Sequence, residues 1–150
     1  MSLRLLSGKT ILHNIINLRQ LVFEVTDDCN LRCYYCGFGD LYCDYVTRES
    51  RYLTLKDVLP LFDYLVNLWA NNYSEAACPQ VTIGFYGGEP LLNMPFIRDT
   101  VDYVKRLNIN RSFSFSLTTN AVLLDKHMQF LVDNDVKLLI SIDGDKNSNG

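Results

Sequence analysis

The sequence predicts an α/β protein built on a parallel sheet, and three observations carry that prediction. Short apolar or alternating runs trade places along the chain with stretches of helical periodicity, the pattern that right-handed crossovers between parallel strands require. The chain has 150 residues, of which 48% are hydrophobic and 21% charged, enough for one domain with a real core. There are no sequence repeats, no low-complexity tract and no obvious interdomain linker.

"LVFEVT" (Leu21–Thr26) is the first strand candidate and runs directly into a cysteine-rich loop. In "TLKDVLPLFDYLVNLWANN", Leu55, Val58, Leu59, Phe62, Leu65, Val66 and Trp69 recur on one helix face. Thr54 followed by Asp57 resembles a capping box, with Asp where Glu is usual, and Pro60 is expected to kink the helix or delay its start. "VTIGFY" (Val81–Tyr86) is the second strand, ended by "GGEP". A helix is expected over about Pro95–Leu107, with Ile97, Val101 and Val104 inward. "SFSFSLTT" (Ser112–Thr119) is the third strand, a short helix follows over about Asp125–Asp133, and "VKLLISID" (Val136–Asp143) is the fourth strand.

Side chains alternate faces along a strand, so residues of one parity share a surface. Phe113, Phe115 and Leu117 fall on one face and Ser114, Ser116 and Thr118 on the other; Val81, Ile83 and Phe85 oppose Thr82, Gly84 and Tyr86. Glu24 groups with Thr26, and Ser141 with Asp143. Every strand thus has an apolar face suited to a helix layer and a face with small or polar members. The second face suits the lining of a wet cavity for a polar ligand; an open sheet with one mediocre face is the alternative.

A net charge of −3 gives no electrostatic argument for nucleic acid or an anionic membrane surface. No apolar run approaches the roughly 20 residues needed to span a bilayer, and polar residues interrupt any signal-peptide core in "MSLRLLSGKTILHNIINLRQ". The expectation is a cytoplasmic protein with no nucleic-acid and no membrane partner. Five cysteines, three of them spaced CxxxCxxC, then point to metal or redox chemistry before disulfides. A structural zinc or a fully ligated iron–sulfur cluster takes four protein ligands, so three suggest a centre with one open position. A zinc knuckle completed by Cys43, Cys78, His13 or His127 is the competing reading, although a second paired ligand motif is absent.

Ligands of parallel α/β folds sit at the carboxyl ends of the strands. Here those ends are the cysteine loop, Gly87-Gly88-Glu89-Pro90, Thr118-Thr119-Asn120 and Ser141-Ile142-Asp143-Gly144, which puts all four unusual stretches on one rim. The two glycines are expected to let backbone amides approach a ligand and to set Glu89 beside it.

With these residues the chain resembles the N-terminal part of a radical S-adenosylmethionine (radical SAM) enzyme. Within that superfamily it is most similar to the branch of anaerobic sulfatase-maturating enzymes and SPASM-type peptide maturases. Cys29, Cys33 and Cys36, with Tyr35 before the last, match CxxxCxxC, and "FYGGEPLLN", "TTNAVLL" and "SIDG" match further motifs in order, from about Leu21 to Gly144.

The resemblance implies a partial parallel (β/α) barrel truncated after about four strands. Residues 1–20 would form an N-terminal extension and 21–150 the N-terminal part of the core domain. It implies that Cys29, Cys33 and Cys36 hold three irons of a 4Fe-4S cluster while the fourth iron is chelated by SAM. Reductive cleavage of SAM would give a 5′-deoxyadenosyl radical that acts on a peptide or protein, with a reductant such as ferredoxin or flavodoxin. Gly88 and Glu89 would receive the SAM ammonium, Ser141 would contact SAM, the Tyr35 backbone would meet the adenine, and Asn120 would touch SAM as well. The branch's further SAM-contacting arginine, catalytic acid and auxiliary-cluster cysteines fall beyond the last residue. No catalytic residue is therefore assigned, and the chain alone is expected to be inactive on substrate. Formylglycine formation on a sulfatase is the narrower alternative, and a non-catalytic zinc or electron-transfer module the alternative of another class.

Overall fold

A computed structural model describes residues 7–37, 49–72 and 79–142. The described strands are β1 (Gln20–Thr26), β2 (Gln80–Gly87), β3 (Ser112–Thr119) and β4 (Val136–Ile140). They form one sheet in the order β1-β2-β3-β4, every neighbouring pair parallel. Between them run α2 (Leu55–Asn71), α3 (Met94–Lys105) and α4 (Leu124–Asp133), with α1 (Gly8–Ile16) ahead of β1 and a short 3-10 turn, Pro90–Asn93, leading into α3. This is the open arc of a partial (β/α) barrel.

The expected parity governs the layers. Phe23, Val25, Val81, Ile83, Phe85, Phe115 and Leu117 are buried on one sheet face with Phe62, Leu65, Trp69, Phe96, Ile97 and Val101 from the helices. Aromatic edges fill this layer: Phe96 packs edge-on to both Phe23 and Phe85, with ring centroids 5.6 and 6.3 Å apart. On the opposite face Thr82 Oγ1 and Ser114 Oγ share a 2.9 Å hydrogen bond, while Val22, Glu24 and Tyr86 stand exposed. That face is open among the described residues, and at its far edge Leu139 is 66% exposed.

Three details differ from expectation. Helix α2 begins at Leu55 without delay, since Pro60 forgoes a bond only to the carbonyl of exposed Lys56, where water can replace it. Its start is fixed by the Asp57 carboxylate, which accepts from Thr54 N (2.8 Å) and Thr54 Oγ1 (2.7 Å). A register shift between Glu24 and Thr26 breaks the parity of β1, so Thr26 is buried and does not share the exposed face of Glu24. The segment ahead of β1 contains α1, capped by the Ser7 side chain on Thr10 N and burying Ile16. Trp69 Nε1 donates to Ile15 O (3.2 Å) and the Arg111 guanidinium to Ile16 O (2.8 Å), tying α1 down.

Candidate functional site

The carboxyl ends of the strands meet on one rim, and the described cysteine loop leaves from β1 there. Its entry is heavily bonded. Thr26 Oγ1 donates to Arg51 O (2.7 Å) and accepts from Asp28 N (3.1 Å). Asp27 accepts from the backbone amides of Glu49 (2.9 Å) and Arg51 (2.7 Å), so the chain returning from the loop is clamped to its start. Those contacts, led by the Glu49 amide, hold the Asp27 carboxyl below its ordinary range. Asp28 Oδ1 accepts from Cys29 N (3.0 Å) and Oδ2 from the Tyr52 hydroxyl (2.9 Å), a bond that raises the Tyr52 phenol. Asn93 donates to both Val25 O and Leu53 O at 2.8 Å, joining β1 to the segment that precedes α2.

Gly87 and Gly88 serve a purpose other than the expected one. Their close approach is to this loop entry. Gly88 N donates to Thr26 O and Glu89 N to Asp28 O, each at 2.8 Å. A Cβ on Gly88 would run into the Asp28 carbonyl and one on Gly87 into the Thr26 carbonyl, and Gly87 has φ +134°. The pair therefore lets two backbones touch, and the two amides are spent on protein carbonyls.

Glu89 lies inside the protein. Its side chain is 0% exposed, and both carboxylate oxygens are engaged. Oε1 accepts from Leu91 N (3.0 Å) and Thr119 Oγ1 (2.8 Å), and Oε2 accepts from Asn120 N (2.8 Å). The carboxylate is thus a strut between the end of β2 and the end of β3, one layer beneath the rim surface.

Asn120, half-buried, reaches back from β3 to the cysteine loop, with Nδ2 2.9 Å from Asn30 Oδ1 and 3.8 Å from Cys29 Sγ. Ala121 beside it has φ +65°, uncommon for a residue with a Cβ. Ser141 is exposed just after β4, its amide donating to Thr119 O (2.9 Å). Tyr35 is exposed in the loop.

Cys29, Cys33 and Cys36 are free thiols, each partly exposed. They share one short segment without helix or strand, in which Cys36 N donates to Cys33 O (3.1 Å) and Leu31 N to Cys29 Sγ (3.4 Å). Among the described residues no three His, Cys, Asp or Glu side chains converge as a metal-ion site, so the three sulfurs are near in sequence without meeting at one point. In donor chemistry the set fits an iron–sulfur cluster, for which thiolates are the usual ligands. His13 is exposed on α1, and His127 on α4 is held below its usual range, chiefly by burial and then by Arg98 and Lys126; neither joins the cysteines. Cys43, Cys78, Asp143 and Gly144 lie outside the described residues.

The model of the Radical SAM superfamily matches residues 23–148. The chain belongs to the radical SAM superfamily. That superfamily uses a 4Fe-4S cluster and S-adenosylmethionine. Among similar radical SAM relatives, a cysteine-type anaerobic sulfatase-maturating enzyme of Clostridium novyi is 32% identical over 133 residues, 87% of this chain and 33% of the relative. A GTP 3′,8-cyclase of Staphylococcus saprophyticus is 36% identical over 128 residues, 84% of this chain and 34% of the relative. The solved structure of native anSMEcpe with bound AdoMet and Kp18Cys peptide superposes with a TM-score of 0.65 at 26% identity, over 88% of this chain and 33% of that one. This radical SAM chain spans about a third of the length of these relatives.

The sequence places the strand ends on one rim but does not reveal Thr119, Asp27, Asp28, Tyr52 and Asn93 as the residues that hold it. The "TDD" ahead of Cys29 was the available signal, because short carboxylates at a strand end commonly accept from nearby backbone amides.

Proposed function

We propose that this chain is the N-terminal part of an enzyme that binds a 4Fe-4S cluster through Cys29, Cys33 and Cys36 and modifies a peptide or protein. The observation that carries the reading is the cysteine loop, three free thiols on the carboxyl rim of a parallel radical SAM sheet. The cluster and SAM would supply a 5′-deoxyadenosyl radical. The chain's own part is to present three thiolates and to keep the loop entry fixed through Asp27, Asp28 and the Gly87-Gly88 contact.

SAM would lie on the rim formed by Tyr35, Gly88, Asn120 and Ser141, with Glu89 beneath. A peptide substrate is supported by the neighbour holding the Kp18Cys peptide, and sulfatase maturation by the Clostridium novyi relative. A nucleotide substrate is the second reading, favoured by the identity to GTP 3′,8-cyclases. Cellular location in the cytoplasm and a ferredoxin- or flavodoxin-type reductant complete the proposal. Among the described residues no helix is long and apolar enough to cross a membrane.

Anaerobic reconstitution with iron and sulfide tests the ligand set. The chain should turn brown, with absorbance at about 400 nm typical of thiolate-held clusters. Cys29→Ala, Cys33→Ala and Cys36→Ala should each abolish the colour, while Cys43→Ala and Cys78→Ala should keep it. A colourless zinc protein, or loss of the colour in either of the last two, would refute the assignment.

A further inference from the structure

The backbone N–H and both side-chain polar atoms of Asn120 have partners, and together the partners dictate which way its amide faces. The backbone N–H is taken by Glu89 Oε2 (2.8 Å), and the side-chain oxygen Oδ1 accepts from Val122 N (3.1 Å). With Oδ1 committed to an N–H donor, Nδ2 must face the other way, and its two hydrogens have two acceptors. One is Asn30 Oδ1 at 2.9 Å and the other is Cys29 Sγ at 3.8 Å. A flipped amide would set Nδ2 against the Val122 N–H and Oδ1 against Asn30 Oδ1, losing both strong bonds. The turn that carries Asn120 is over-determined as well. Ala121 holds a left-handed φ of +65° while its N–H donates to Thr119 Oγ1 (3.0 Å), and that hydroxyl itself donates to Glu89.

We propose that Asn120 is a positioning residue for the first ligand of the cysteine loop. It directs an N–H at the Cys29 sulfur and so raises the reduction potential of the cluster held there. The inference rests on the reading of Cys29, Cys33 and Cys36 as cluster ligands and adds to it a role for β3. Its physical basis is direct. A reduced cluster carries one more negative charge than an oxidised one, and donors aimed at a ligand sulfur stabilise that charge. Leu31 N supplies one such donor from within the loop at 3.4 Å. Asn120 supplies a second across ninety-one residues of sequence, held in place by the buried Glu89 strut.

The test is the midpoint potential of the anaerobically reconstituted chain, measured with redox mediators and no SAM, beside its iron and sulfide content. Asn120→Ser keeps a short acceptor for Val122 N and removes the NH2 donor without adding charge; its midpoint should move to a more negative value. Asn120→Asp, which also places a charge beside the sulfur, should move further in the same direction. A wild-type midpoint in Asn120→Ser overturns the inference, even if Asn120→Asp shifts, because charge alone would then explain the change. If neither variant holds iron, the cluster-free protein decides through nuclear magnetic resonance. The Asn120 side-chain amide signals should move in Cys29→Ala, and unmoved signals overturn the inference. A wild-type chain that takes up no iron and sulfide refutes the cluster assignment, and this inference with it. Full uptake with unshifted potentials refutes the role of Asn120 alone.

Discussion

Replacing Glu89 with Gln separates a structural strut from a ligand contact. The native carboxylate accepts three hydrogen bonds at 0% exposure: Leu91 N and Thr119 Oγ1 on Oε1, Asn120 N on Oε2. A Gln can keep its carbonyl oxygen where Oε1 stands and retain two of the three. Its NH2 then faces the Asn120 N–H, donor against donor. One charge-assisted bond worth about 1.5–3 kcal/mol is lost, and buried donors left without acceptors cost about 1–3 kcal/mol each. Partial relaxation brings the sum to roughly 3–5 kcal/mol. For a chain of this size each kcal/mol shifts the unfolding midpoint by about 2–4 °C, so Glu89→Gln should melt roughly 6–20 °C lower.

Thermal unfolding followed by circular dichroism on the cluster-free protein measures this without any cofactor. Thr119→Val, which at nearly constant volume removes both the donor to Glu89 and the acceptor of the Ala121 N–H, should cost about 1–3 kcal/mol alone and show coupling with Glu89→Gln of about 0.5–3 kcal/mol in a double-mutant cycle. A Glu89→Gln protein that melts within about 2 °C of wild type, less than one such bond is worth, would refute the strut. If that protein nevertheless bound SAM more weakly, the carboxylate's importance would lie in the ligand contact.

The turn after β3 and the loop entry offer two further checks. Ala121→Gly relieves a left-handed residue at a cost in unfolded-chain entropy, for a net gain of about 0.5–1 kcal/mol; a lower melting temperature in the variant would contradict the strained φ. The Asp27 carboxyl is held below its ordinary value near 3.8, so the stability it contributes is complete above that value and is lost as pH falls through the lower, folded one. Asp27→Asn should therefore be less stable than wild type at pH 7 and converge with it in acid. Parallel stability curves from neutral pH down to about pH 2 would show that Asp27 is not held in this way.

How much of this was legible depends on the sequence separation of the partners. β3 was read to the residue from alternation in "SFSFSLTT", and the apolar parity of β2 predicted its buried face. The placement of the strand ends on one rim also followed, because parallel strands all end on the same side. Helix α1 escaped notice because it buries a single residue, Ile16, and its Ser7 cap alone is a weak signal. The register shift in β1 has no sequence marker, since Val25 and Thr26 suit a strand equally well. For Glu89, a carboxylate after two glycines at a strand end looks the same whether it meets a ligand or a fold partner. Thr119 and Asn120, its actual partners, lie thirty and thirty-one residues away, and nothing in "TTN" announces that it closes over "GGEP".

The three carboxylates nearest the rim, Asp27, Asp28 and Glu89, share one physical task. Each accepts from at least one donor far away in sequence: Asp27 from the amides of Glu49 and Arg51, Asp28 from the Tyr52 hydroxyl, Glu89 from the end of β3. Parallel strands bring their ends to a common side but leave the loops beyond them unpaired, so something other than the ladder must fix where each loop begins. Carboxylates are suited to this, because each offers up to four acceptor positions at one point and binds N–H groups more strongly than a carbonyl does. The consequence is a division within the cysteine loop. Its entry is fixed from three directions, whereas Asn30 to Gly37 carry no helix or strand. Mutations at the entry should therefore act on stability and on the placement of all three thiols together, and mutations at the tip on one thiol at a time.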